Sequence, residues 1–208
     1  MRNLVMNRRN RNAQGFTLLE ALVVIGIMFT LAGIAVFKSF GSMEGYQANS
    51  AQDIVAGRLR VARQLAISQR RYVKVQFNTA SNPMTVRYQV QPRPGSADPA
   101  QPWVTATLPR QVSFMQESGV PDTPMAFGTC SGAGVCIASV SGGPAIMMFN
   151  SSGQFTDSTG INPINGTVFL GISNQVNTAR AVTIMGATGR VRPYTYVGGS
   201  SSLTSWNE

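Results

Sequence analysis

The chain contains no histidine, which removes the side chain most often used for proton transfer near neutral pH and the commonest metal ligand. Acidic residues are also scarce: eight Asp and Glu stand against seventeen Lys and Arg, for a formal net charge of +9. Carboxylates so few and so scattered form no metal cluster of recognisable spacing. They also leave the serines of the Ser- and Gly-rich loops, near Asp122 and Asp157, without a base. Neither catalysis nor a cofactor nor a metal is expected. Cysteine occurs twice, at Cys130 and Cys136, in a Gly- and Ser-rich stretch that reads as a loop, and the gap is not the CxxC of disulfide oxidoreductases. If this part lies outside the cytoplasm, a disulfide closing a short ring is the natural reading, worth about 2 to 2.5 kcal/mol by loop entropy. Two free thiols are the alternative.

Set against these absences is one long apolar run. Residues 16–37 read FTLLEALVVIGIMFTLAGIAVF, enough to cross a bilayer core, with Glu20 as the only charge. Arg2, Arg8, Arg9 and Arg11 precede it and Lys38 follows, so the positive-inside bias keeps the N-terminus in the cytoplasm and exports the remainder. A secretory signal is cut after its apolar run, following small residues. Here the candidate junction, Gly15 then Phe16, stands before the run, and cutting there retains the apolar helix. Loss of the four leader arginines takes the net charge from +9 to +5. An intramembrane carboxylate costs on the order of 2.5 to 3.5 kcal/mol on insertion scales, so Glu20 calls for a cationic partner. A plain signal anchor with an incidental Glu near its cytoplasmic end is the competing reading.

The run Gly15, Phe16, Thr17, Leu18, Leu19, Glu20 resembles the GFTLxE motif of type IV prepilins and pseudopilins. The resemblance implies that a prepilin peptidase cuts after Gly15 and methylates the amino group of Phe16. It also implies that Glu20 pairs with the N-terminal amine of a neighbouring subunit. A buried amine and carboxylate neutralise each other at one axial stagger only, which makes the pair a device for register.

Beyond Lys38, Val55, Leu59, Ala62 and Ala66 recur at helical spacing while Arg58, Arg60, Arg63 and Arg70 fall on the polar side. One helix from Phe16 to about Ser68, roughly 80 Å long, is expected, its first half an anchor and its second half a packing surface. Its arginines read either as a nucleic-acid stripe or, preferably, as a solvated face. From Tyr72 the pattern alternates. Strands are expected at 72–77, 84–90, 145–149, 167–173, 179–185 and 194–197, loops at 91–101 and 117–144, and a frayed polar tail. The fold class is therefore α+β, a long N-terminal helix packed on an antiparallel sheet. The expected division is a leader at 1–15, a membrane or filament-core half-helix at 16–45 and a globular part at 46–208.

ARQLAISQRRYVKVQF (62–77), MFNSSGQF (148–155) and GRVR (189–192) together resemble the GspH/FimT family of minor pilins and type II secretion pseudopilins. The family implies a pilin-like fold, other pilins or pseudopilins as partners, and a place in the inner membrane before assembly into a periplasmic or extracellular filament. In its FimT-like branch a C-terminal GRxR is associated with DNA binding, and Gly189, Arg190 and Arg192 match it. In an extended segment Arg190 and Arg192 project from one face, two guanidinium forks for the phosphates of double-stranded DNA. Two such contacts are weak, so Arg180, Arg87 and Arg93 are added as further candidates. Two solvated arginines at a strand edge are the plainer reading of the same residues. Minor pilin and secretion pseudopilin both fit, with GRVR alone favouring the pilus.

Overall fold

The computed structural model describes residues 16–93, 95, 97–128, 134–137, 146–198 and 205–208, with the backbone alone described for 37–42. The expected leader and both Gly15 and Cys130 lie outside the described residues. Two compact units result, Met1–Gly41 and Ser42–Glu208.

Helix α1 (Leu18–Gln69) begins and ends within a residue or two of the expected limits. Thr17 starts it: the Glu20 amide donates to Thr17 Oγ1 at 3.2 Å, and the Ala21 amide donates to the Thr17 carbonyl. Arg70 stops it by taking a left-handed conformation (φ 50°), which lets the Arg71 amide reach back to the Ala66 carbonyl at 3.2 Å. No glycine marks this end in the sequence, so hydrogen bonding rather than composition sets it.

In the first unit the apolar stretch Leu18–Val36 has a mean hydropathy of 2.4 and packs against nothing described. Leu18, Leu22, Met28 and Phe29 are each well over half exposed. Such a surface is stable only against lipid or other apolar helices.

In the second unit the helix shows the opposite behaviour. Ala48, Ala51, Val55, Leu59, Ala62 and Ala66 are fully buried, a stripe stepping by three and four residues. Alanines dominate the stripe, so strands can approach the helix backbone closely. Two five-stranded antiparallel sheets share this core. The first has the order β3-β2-β1-β5-β6, from β1 (Val73–Asn78), β2 (Thr85–Val90), β3 (Val104–Thr107), β5 (Ile146–Phe149) and β6 (Phe155–Thr156). The second runs β10-β9-β8-β7-β4, from β4 (Val135–Ile137), β7 (Gly166–Ile172), β8 (Gln175–Met185), β9 (Arg190–Tyr196) and β10 (Trp206–Asn207). Val75, Phe77, Met147 and Phe149 from the first sheet and Val168, Leu170, Val182 and Ile184 from the second meet the helix in one cluster.

All six expected strands are present, and the expected single sheet is corrected to two. The polar tail is also corrected. Trp206 is buried, donates from Nε1 to the Asp122 carbonyl at 3.1 Å and stacks edge-on against Tyr196, so β10 closes the second sheet. The indole supplies the burial that the small and polar residues beside it cannot, and residues 201–204 of the expected frayed tail lie outside the described residues. It joins Phe169, Ala181, Tyr194 and Tyr196 in a second apolar cluster on the sheet face away from the helix.

Candidate functional site

Glu20 lies in the first turn of α1, three residues after the capping Thr17, where the helix dipole favours a carboxylate. The T-x-x-E spacing of Thr17 and Glu20 is a helix-capping signal that lies inside the apolar run. Glu20 and Phe16 are both exposed, Phe16 by 79%, and Glu20 makes no ion pair among the described residues.

Far along the sequence, the three segments 62–77, 148–155 and 189–192 converge. Arg63 Nε donates to the Gly153 carbonyl at 3.3 Å. Gly189, with φ 63°, sits so close that a Cβ there would overlap the same carbonyl oxygen and come within 2.9 Å of Arg63 Nε. Gly153 in turn leaves room for Ile67, whose Cδ1 would be 2.6 Å from an added Cβ. The glycine of GRVR is therefore required for packing: it seats the β8–β9 turn against the helix and the 150–153 turn.

Arg190 and Arg192 emerge from this turn on the same face of β9 and line one small cavity of about 110 Å³ with Thr183 and Met185. They differ in availability. Arg190 is exposed, whereas Arg192 Nη1 donates to Glu208 Oε2 at 3.1 Å and forms an ion pair with it. A hydrogen bond with the Tyr194 side chain, and then the Glu208 charge, hold the Arg192 guanidinium more firmly protonated than usual.

The weaker candidates do not gather around this pair. Arg180 is corrected outright: it is 6% exposed, its Nε donates to Asn49 Oδ1 at 2.7 Å, and its Nη1 donates to the carbonyls of Asn177 and Ala179. It binds β8 to the helix and is out of reach of any external ligand; burial lowers its pKa. Arg87 donates from Nε to Gln76 Oε1 at 2.8 Å and lies 4.5 Å over the Trp103 ring, in the other sheet. Arg93 is exposed and lines a cavity of about 790 Å³ with Arg70 and Arg71. Cys136 is disulfide-bonded, and the chain's other cysteine, Cys130, lies outside the described residues.

The helix arginines, preferred in the sequence as a solvated face over a nucleic-acid stripe, include two that line a cleft. Arg60, Arg63 and Gln64 of α1 line a cavity of about 480 Å³ with Gly189 and Arg190. The signal was present in the helical spacing of Arg60, Arg63 and Gln64, but spacing alone reads as a solvated face.

Comparison with known proteins bears chiefly on the N-terminus. Residues 10–36 match the prokaryotic N-terminal methylation motif. No curated protein sequence matches the chain. Among solved structures, the minor pseudopilin EpsH from the Type 2 Secretion System of Vibrio cholerae aligns with a TM-score of 0.46 and 13% identity, over 72% of this chain and 97% of that one. The segment around Gly15, Phe16 and Glu20 is thereby a prepilin-type N-terminal methylation motif, carried at the head of a helix and antiparallel-sheet fold.

Proposed function

We propose that the chain is a minor, non-catalytic filament subunit of the GspH/FimT kind, cut after Gly15 and methylated on Phe16. The observation that carries the reading is the methylation motif running directly into an exposed apolar helix whose one charge, Glu20, has no counter-ion in the described chain. In the inner membrane the 16–45 half-helix is held by lipid; in the filament it is held by the same segment of neighbouring subunits, with Glu20 taking the amine of one of them. The 46–208 part then lies in the periplasm or outside the cell. Replacing Glu20 with Ala should leave leader cleavage intact and abolish co-purification with filaments. Normal incorporation of that variant would remove the assembly role of Glu20.

The finer reading is a minor pilin that holds double-stranded DNA through Arg190 and Arg192. It is supported by the exposure of Arg190 and the shared face of the two residues. The occupancy of Arg192 by Glu208 favours the second reading, a secretion pseudopilin without DNA binding. Duplex binding by the full chain in an uncharged detergent, titrated with salt, separates them. Retention lost in the Arg190→Ala, Arg192→Ala double variant supports the pilin, and no retention by the folded wild type supports the pseudopilin.

A further inference from the structure

We infer that the cleft between the second half of α1 and the β8–β9 turn is a phosphodiester-binding site, with Arg60 on the helix as a principal contact. This rests on the nucleic-acid reading above and shifts its centre from Arg192 to the helix. Three arginines, Arg60, Arg63 and Arg190, line the cleft, and among the described residues no Asp or Glu does. Arg60 and Arg190 are exposed and make no ion pair among the described residues. Arg63 is fixed through its Nε by the Gly153 carbonyl, which pre-orders its guanidinium and lessens the entropy lost on binding.

Three further observations point to a chain of phosphates as the ligand. Gln64 and Ser68 supply neutral donors on the same wall. Among the described residues no aromatic side chain lines the cleft, so bases find nothing there to stack on, and the chemistry suits the backbone of a duplex better than an unpaired strand. Ser68 also lines the adjoining cavity of Arg70 and Arg93, which extends the cationic track beyond what a single phosphate needs. Arg71 in that cavity is paired with Asp98 at 3.3 Å, and Arg192, outside the cleft, with Glu208, whereas Arg70 and Arg93 make no ion pair among the described residues.

The test uses the full chain in an uncharged detergent, a short duplex of arbitrary sequence, and a salt titration of affinity. Arg60→Gln should weaken binding at least about threefold at low salt and make the logarithmic salt slope shallower by about 0.9. Arg58→Gln, the same charge change on the same helix outside the cleft, should leave both unchanged. Wild-type binding that Arg60→Gln does not weaken, or that both variants weaken equally, overturns the cleft while leaving the DNA reading standing. Absence of duplex binding by the wild type removes both. Arg60→Gln weakening capture of phosphatidylglycerol vesicles relative to phosphatidylcholine vesicles, while leaving duplex binding unchanged, overturns the assignment to nucleic acid.

Discussion

Gly189 shows how a residue singled out for binding acts first through packing. Its φ of 63° and its contact with the Gly153 carbonyl exclude a side chain. Gly189→Ala should therefore cost about 1 to 3 kcal/mol in denaturant unfolding. An unchanged midpoint would show that the turn relaxes freely. Asp157 is a second residue with a measurable signature. It accepts from Thr159 Oγ1, Asn162 Nδ2 and the Thr159 amide, and its pKa falls to about 2, chiefly through the Thr159 hydroxyl and then Asn162. The folded pKa lies below the ordinary 3.8, so the loop's stabilisation is present above that value and is lost as pH falls from about 4 towards 2. Asp157→Asn should flatten the pH dependence of the unfolding midpoint in that window; an identical slope in both proteins would exclude the carboxylate as its source.

At the scale of elements, α1 was legible because its two halves carry different patterns, a continuous apolar run and then a stripe stepping by three and four. The stripe is confirmed at Val55, Leu59, Ala62 and Ala66, all fully buried. Leu59→Ala should destabilise the second unit by about 2 to 5 kcal/mol, read by denaturant unfolding. A loss below about 1 kcal/mol would contradict a core centred on this stripe. Strands β1, β2, β5, β7, β8 and β9 were legible from alternation and β-branched residues. The two-residue strands β6 and β10, the three-residue β4 and the four-residue β3 were not, since so few residues carry no clear period and their pairing is decided by what lies beside them. Gln52 illustrates the same limit: its Nε2 donates to the carbonyls of Ala181 at 3.0 Å and Tyr194 at 2.8 Å, a link of helix to second sheet that its own sequence surroundings do not reveal.

At the scale of the whole molecule, the two units make opposite demands of their surroundings. The apolar helix of the first is wholly exposed, while the second buries its own core. The full chain should sediment with membranes and be released by detergent, and a chain beginning at Ser42 should remain in the aqueous phase. Aqueous behaviour of the full chain would contradict the anchor. The sequence by itself determined the long apolar run, the methylation motif and the α+β class, because hydropathy and short-range periodicity act over neighbouring residues. Tertiary structure alone decided that Arg180 is a buried tie, that Arg192 is held by Glu208, and that Arg60 and Arg63 share a cleft with Arg190. Each depends on which distant segments meet. A guanidinium reads the same in sequence whether a carboxylate, a carbonyl or open solvent finally faces it.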